Sequence, residues 1–125
     1  MIVKISTVSL RGVNYPAAFS LRVAMETADR YGDVDAVLEP GLPAAAALER
    51  KAWCLASMLR AGQKAAKAAG MEAPEPPTAD DLLDSFGVDD VAQINHAILT
   101  VFAADSKTTV ELEPDVKNAA ATQDP

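Results

Sequence analysis

Apolar residues recur at helical intervals around Leu48, Ala52, Leu55 and Leu59, and Cys54 and Met58 widen that stripe on one side. So broad an arc needs more than one neighbour. At ~1.5 Å per residue, a helix over Leu48–Ala69 runs roughly 30 Å, long enough for other elements to pack along both flanks. We read it as the central helix, with Pro43 in its first turn and Gly70 suited to a left-handed C-cap. After Gly62 the sequence AGQKAAKAAG alternates small and polar residues, which predicts a more solvated second half. A second stripe, Val91, Ile94, Ile98 and Phe102 with Leu99 on its flank, predicts the last helix.

The pattern before the central helix changes period. Residues 2–10 mix β-branched and polar positions, with Ile5, Val8 and Leu10 facing inward on a short strand. Arg11-Gly12 turns the chain, and a second extended segment runs from Val13 to Phe19, where Tyr15 and Phe19 can bury and Pro16 keeps Tyr15 out of the helical region. Such a hairpin needs a helix on its apolar face. Ser20 is placed to cap a helix whose face is Leu21, Ala24, Ala28 and Tyr31 and which stops at Gly32. The acidic piece DVDAVLE gives one or two helical turns before Pro40-Gly41.

Beyond the central helix, MEAPEPP has three prolines in seven residues and predicts an exposed extended connection. Thr78 with Asp81 resembles a capping box for a short helix that turns Leu82, Leu83 and Phe86 inward and ends at Gly87. Asp89 and Asp90 then favour the dipole of the last helix. From Asp105 onward there is little to pack: TTVELE is expected to extend briefly as a strand, and the polar remainder to be a loose terminus. The expected fold is mostly α, a small helical domain over residues 1–105 with a short N-terminal β-hairpin, followed by a disordered C-terminal tail over 106–125.

Composition agrees with one domain. In 125 residues half are apolar, many of them alanine, and only 5% are aromatic, which suits closely packed helices. The formal charge of −7, with no basic run longer than Arg50-Lys51, opposes binding to nucleic acid or an anionic membrane and suits a basic or neutral protein partner. Neither a signal peptide nor an apolar run of the ~18 residues a membrane helix needs is apparent, so a soluble cytoplasmic protein is expected.

Candidate chemistry adds little. Cys54 is the only cysteine and lies on the apolar face, a small buried hydrophobe rather than a reactive thiol. His96 is the only histidine and has no cysteine or paired carboxylate at metal-ligand spacing, so it is assigned no role. Asp80-Asp81 and Asp89-Asp90 fall in helix first turns, where the dipole accounts for them. No phosphate loop, nucleophile elbow or EF-hand pattern is present. No catalytic residue, metal or cofactor is expected, and the chain is read as not an enzyme.

Taken in order, the β opening with its Gly turn (Val8 to Tyr15), FSLRVAMETADRYG, the Trp53-bearing helix running into MLRAGQKAAKAAG, a Pro-rich break, and PPTADDLLDSFGVDDVAQINHAIL resemble the phage tail assembly chaperones of long-tailed phages and prophages. The resemblance spans about residues 5 to 105 and rests on ordering and spacing. It implies a small helical protein of the host cytoplasm, not retained in the mature virion, that binds the tape measure protein and keeps it soluble before the tail tube polymerises. It also admits the tail tube protein and a second copy of the chain as partners, and a longer frameshifted form. On that reading the groove candidates are Trp53, Met58 and Phe102, because aromatic and Met side chains supply large or adaptable contact area. The competing readings are a structural or adaptor protein of the phage particle, of head-to-tail connector type, and a small regulatory protein unrelated to phage.

Overall fold

A computed structural model describes residues 4–112, with side chains through residue 104. Among these residues the order is β1 (Ser6–Leu10), β2 (Val13–Ala17), α1 (Leu21–Tyr31), a 3-10 turn (Val34–Leu38), α2 (Ala44–Ala68), α3 (Ala79–Ser85), a 3-10 turn (Val88–Asp90) and α4 (Val91–Leu112). This is the mostly helical domain with an N-terminal hairpin that the pattern predicts. The expected tail falls partly outside the described residues, at 113–125. Before that, α4 carries on to Leu112 where a short strand was expected. β-branched residues are only weakly averse to helix, and extending a helix already formed adds one hydrogen bond per residue fixed.

Local chemistry sets the boundaries. Arg11 and Gly12 both have positive φ, 50° and 81°, the two-residue turn whose twist matches an antiparallel hairpin, and Leu10 pairs with Val13 across it. Ser20 Oγ accepts from Val23 N at 3.3 Å to open α1, and Gly32 closes it at φ 92°. Thr78 and Asp81 exchange hydrogen bonds of 3.1 and 3.0 Å in a capping box on α3. At the end of α2, Gly70 N donates to Lys67 O at 3.0 Å and Met71 N to Ala66 O at 2.8 Å, a complete Schellman motif. Pro43 stands one residue before α2, at its N-cap.

α2 is the centre of the packing. β2, α1, the first 3-10 turn, α3 and α4 all rest on it, and β1 packs on α4. Leu10, Val37, Cys54, Leu55, Met58, Leu59 and Ile98 are fully enclosed, and Ala52, Ala97 and Val101 complete the interior. The second half of α2 is the more solvated one, as its composition predicts: after Gly62 only Ala66 is buried. Just before that stretch β2 lies directly on the helix. Ala18 N donates to Met58 O at 3.0 Å, and a Cβ at Gly62 would sit 2.3 Å from Pro16 O.

Two expected inward faces are narrower than predicted, and that of α1 is shifted from Leu21, Ala24, Ala28 and Tyr31 to one centred on Thr27. α1 buries Val23 and Thr27, whereas Leu21 is 89% exposed. At ~100° per residue, Val23 and Tyr31 lie 40° to either side of Thr27 and Leu21 lies 120° away. Thr27 tolerates the centre of the arc because its hydroxyl donates to Val23 O at 2.6 Å. On α3, Leu82 is buried and Leu83 half exposed, and on α4, Ile98 is buried and Leu99 half exposed.

Candidate functional site

The three residues picked from sequence are not brought together. Met58 is fully enclosed in the core, so it offers no contact surface, which corrects its place among the groove candidates. β2, α1, α3 and α4 all pack on α2, and Met58 is enclosed beneath that packing. Phe102 is half-buried and meets Phe19 edge-on, with centroids 5.3 Å apart and planes at 81°, so part of its face is taken by the hairpin-to-α1 connection.

Trp53 is half-buried in a polar and aromatic joint that fastens α1 to α2. Arg30 Nη2 and the Tyr31 hydroxyl each donate to a different oxygen of Glu49, both at 2.9 Å, and Arg30 Nε donates to the Tyr31 oxygen at 3.0 Å. Trp53, one turn along from Glu49, meets Tyr31 edge-on at 5.7 Å, and the Arg30 guanidinium stands 5.3 Å from its ring centroid. Arg50 lies 4.9 Å from the Tyr31 ring centroid, donates to Ala36 O at 2.9 Å and pairs with Glu39 at 3.7 Å, which adds the first 3-10 turn to the joint. The free side of Trp53 lines a depression of about 310 Å³ against the Pro-rich strap at Pro76 and Pro77.

A second joint holds the hairpin tip to the start of α4. Arg11 Nη2 pairs with Asp90 at 2.7 Å, its guanidinium lies 4.3 Å from the Phe86 ring centroid, and its backbone N–H donates to Gln93 Oε1 at 2.8 Å. These contacts offset the strain of a non-glycine residue at positive φ.

Both joints are acid-sensitive. Burial pushes the Glu49 carboxyl up, but hydrogen bonds from Arg30 and Tyr31, with the nearby Arg30 and Arg50 charges, outweigh it and hold it below the usual glutamate value. The Arg11 hydrogen bond, then the Gly87 N–H, hold Asp90 low. A carboxylate with a depressed folded pKa contributes stability above its unfolded value of ~4, and that stability is lost as pH falls through the folded value. The melting temperature is therefore expected to drop on acidification below about pH 4. Glu49→Gln and Asp90→Asn should lower it at pH 7 and flatten the acid limb. An acid limb as steep in both variants as in the wild type would count against the joints.

Cys54 takes no part in surface chemistry. It is fully enclosed, and burial pushes its thiol up to about 12. The native protein should resist a thiol reagent such as DTNB and react fully once unfolded in urea; prompt labelling of the folded protein would place Cys54 elsewhere.

The most apolar open surface was not singled out from sequence. A trough lies between the first halves of α2 and α4. At one end it is a depression of about 200 Å³ lined by Leu48, Leu83, Phe86 and Val88, closed by α3 and the turn into α4. At the other it is a depression of about 470 Å³ lined by Leu38, Leu42, Asn95 and Leu99. Lys51 lines both. Leu48, Leu83, Val88 and Leu99 are 40%, 48%, 86% and 52% exposed, four large apolar side chains around one trough. Helical periodicity marks Leu48, Leu83 and Leu99 as apolar positions but does not say which apolar positions the fold leaves uncovered.

Among the described residues no cluster of His, Cys, Asp and Glu is positioned to hold a metal ion, and no helix is long and apolar enough to cross a membrane. No protein-family model, curated protein or solved structure matches the chain.

Proposed function

We propose that this protein is a phage tail assembly chaperone, an interaction protein that binds the tape measure protein in the host cytoplasm and keeps it soluble until the tail tube polymerises. The observation that carries the reading is the apolar trough between α2 and α4, with four large side chains left exposed around it. Soluble monomers seldom expose contiguous apolar surface without a use for it, and a trough between two helices has the shape that receives the apolar face of a third. A tape measure protein is long and helix-rich, and its apolar stripes need cover until the tube encloses them. The ordered resemblance of the elements from residue 5 to 105 supplies the choice of partner.

Co-expression tests this reading. The tape measure protein encoded beside this chain should shift from the insoluble to the soluble fraction in its presence and co-purify with it, and the chain should be absent from purified particles. If the chain neither binds nor solubilises the tape measure protein, the reading fails. Stoichiometric amounts in purified particles would instead make it a structural or adaptor component.

A further inference from the structure

Every arginine of the chain stands within 4 Å of a carboxylate: Arg11 with Asp90, Arg22 and Arg60 with Glu26, Arg30 with Glu49, and Arg50 with Glu39. The described lysines form no ion pair, and Lys51 is the one among them that is partly buried. It lies at the junction of the two depressions, and its side chain has no ion pair or hydrogen bond with any described residue. The depression on the α3 side contains no carboxylate, and the one acid lining the other, Glu39, is already engaged by Arg50. A lone ammonium therefore sits in an apolar trough on a protein of formal charge −7.

From Val88 to Leu99 the α4 side runs ~16 Å, about three turns of a docked helix. Resting on the chaperone reading, we infer that this trough is the tape measure docking site. Its occupant is an amphipathic helix whose apolar face covers Leu48, Leu83, Val88 and Leu99, with a carboxylate to meet Lys51. Charge complementarity selects an acidic position within an otherwise apolar stripe, because a like charge opposite Lys51 would be penalised and a neutral residue would leave it unpaired. The site is separate from Trp53 and Phe102.

The test is quantitative binding of the co-expressed tape measure protein to the full chain. Leu83→Asp, Val88→Asp and Leu99→Asp change exposed side chains and should leave the melting temperature nearly unaltered while weakening binding about tenfold or more. Lys51→Glu should weaken it to a similar degree, and Lys51→Arg should keep it. Leu21→Asp and Met25→Asp, on the outer face of α1 and 89% and 61% exposed, serve as controls and should bind as wild type. Folded trough variants that bind like wild type would overturn the site while the chaperone reading stands. Failure of the wild-type chain to bind would overturn both. If the trough variants convert a dimer of the chain to monomer in sedimentation while tape measure binding is unchanged, a second copy fills the trough and the inference is wrong.

Discussion

Gly62→Ala is expected to destabilise the protein by about 2 kcal/mol or more, even though alanine is the better helix former by ~1 kcal/mol. The sign is decided by distance. An added Cβ would stand 2.3 Å from Pro16 O, and 2.4 Å from both Ala17 N and Pro16 C. All three are backbone atoms, so no side-chain rotation relieves the overlap. β2 must move off α2, and with it goes the 3.0 Å hydrogen bond from Ala18 N to Met58 O. For a domain of this size the loss should appear as a fall in melting temperature of roughly 10 °C. Thermal and urea unfolding of the variant would check it, and equal or greater stability would mean that the strand does not approach the helix so closely.

Leu59→Ala is expected to cost about 2–5 kcal/mol, a large part of the ~5–15 kcal/mol of an ordinary domain. Leu59 is fully enclosed, as is Leu55, for which the same range holds. The lost transfer free energy is compounded by a cavity that a helix held by β2, α1, α3 and α4 cannot readily close. Leu99→Ala provides the contrast, because a half-exposed side chain leaves no enclosed void and should shift stability by less than ~1 kcal/mol. Urea unfolding of the three variants separates the cases. A change below ~0.5 kcal/mol at both Leu55 and Leu59 would remove α2 from the centre of the fold.

Much of the architecture was legible because the signals were local. Ser20, Thr78 with Asp81, Gly32 and Gly70 act on backbone groups a few residues away, so the sequence window contains both partners of each cap. What stayed illegible depends on residues distant in the chain. Leu82 and Leu83, or Ile98 and Leu99, differ in burial because of what packs against each, and periodicity gives the direction of an arc better than its width. Met58 looked like an adaptable contact residue, whereas the elements packed on α2 enclose it. Gly62 marks only a change of character along the helix when the sequence is read alone, whereas it is the place where a strand some 45 residues earlier in the sequence touches down. Lys51 carries no distinguishing signal in the sequence for the same reason: whether a group is paired is decided by the whole fold.

The joint between Arg11 and the start of α4, together with the packing of β1 on α4, also has a consequence in time. The first strand leaves the ribosome roughly ninety residues before the helix that covers it, and at ~5–20 residues per second the delay is of the order of 5–20 s. Local helix formation is complete in microseconds, so α1 and α2 are available long before α4. For that interval Val8 and Leu10 lack their final cover, and the hairpin can be sealed only when the last helix emerges. Closure of this fold is thus set by the pace of translation, and the earliest part of the chain to be made is among the last to be buried.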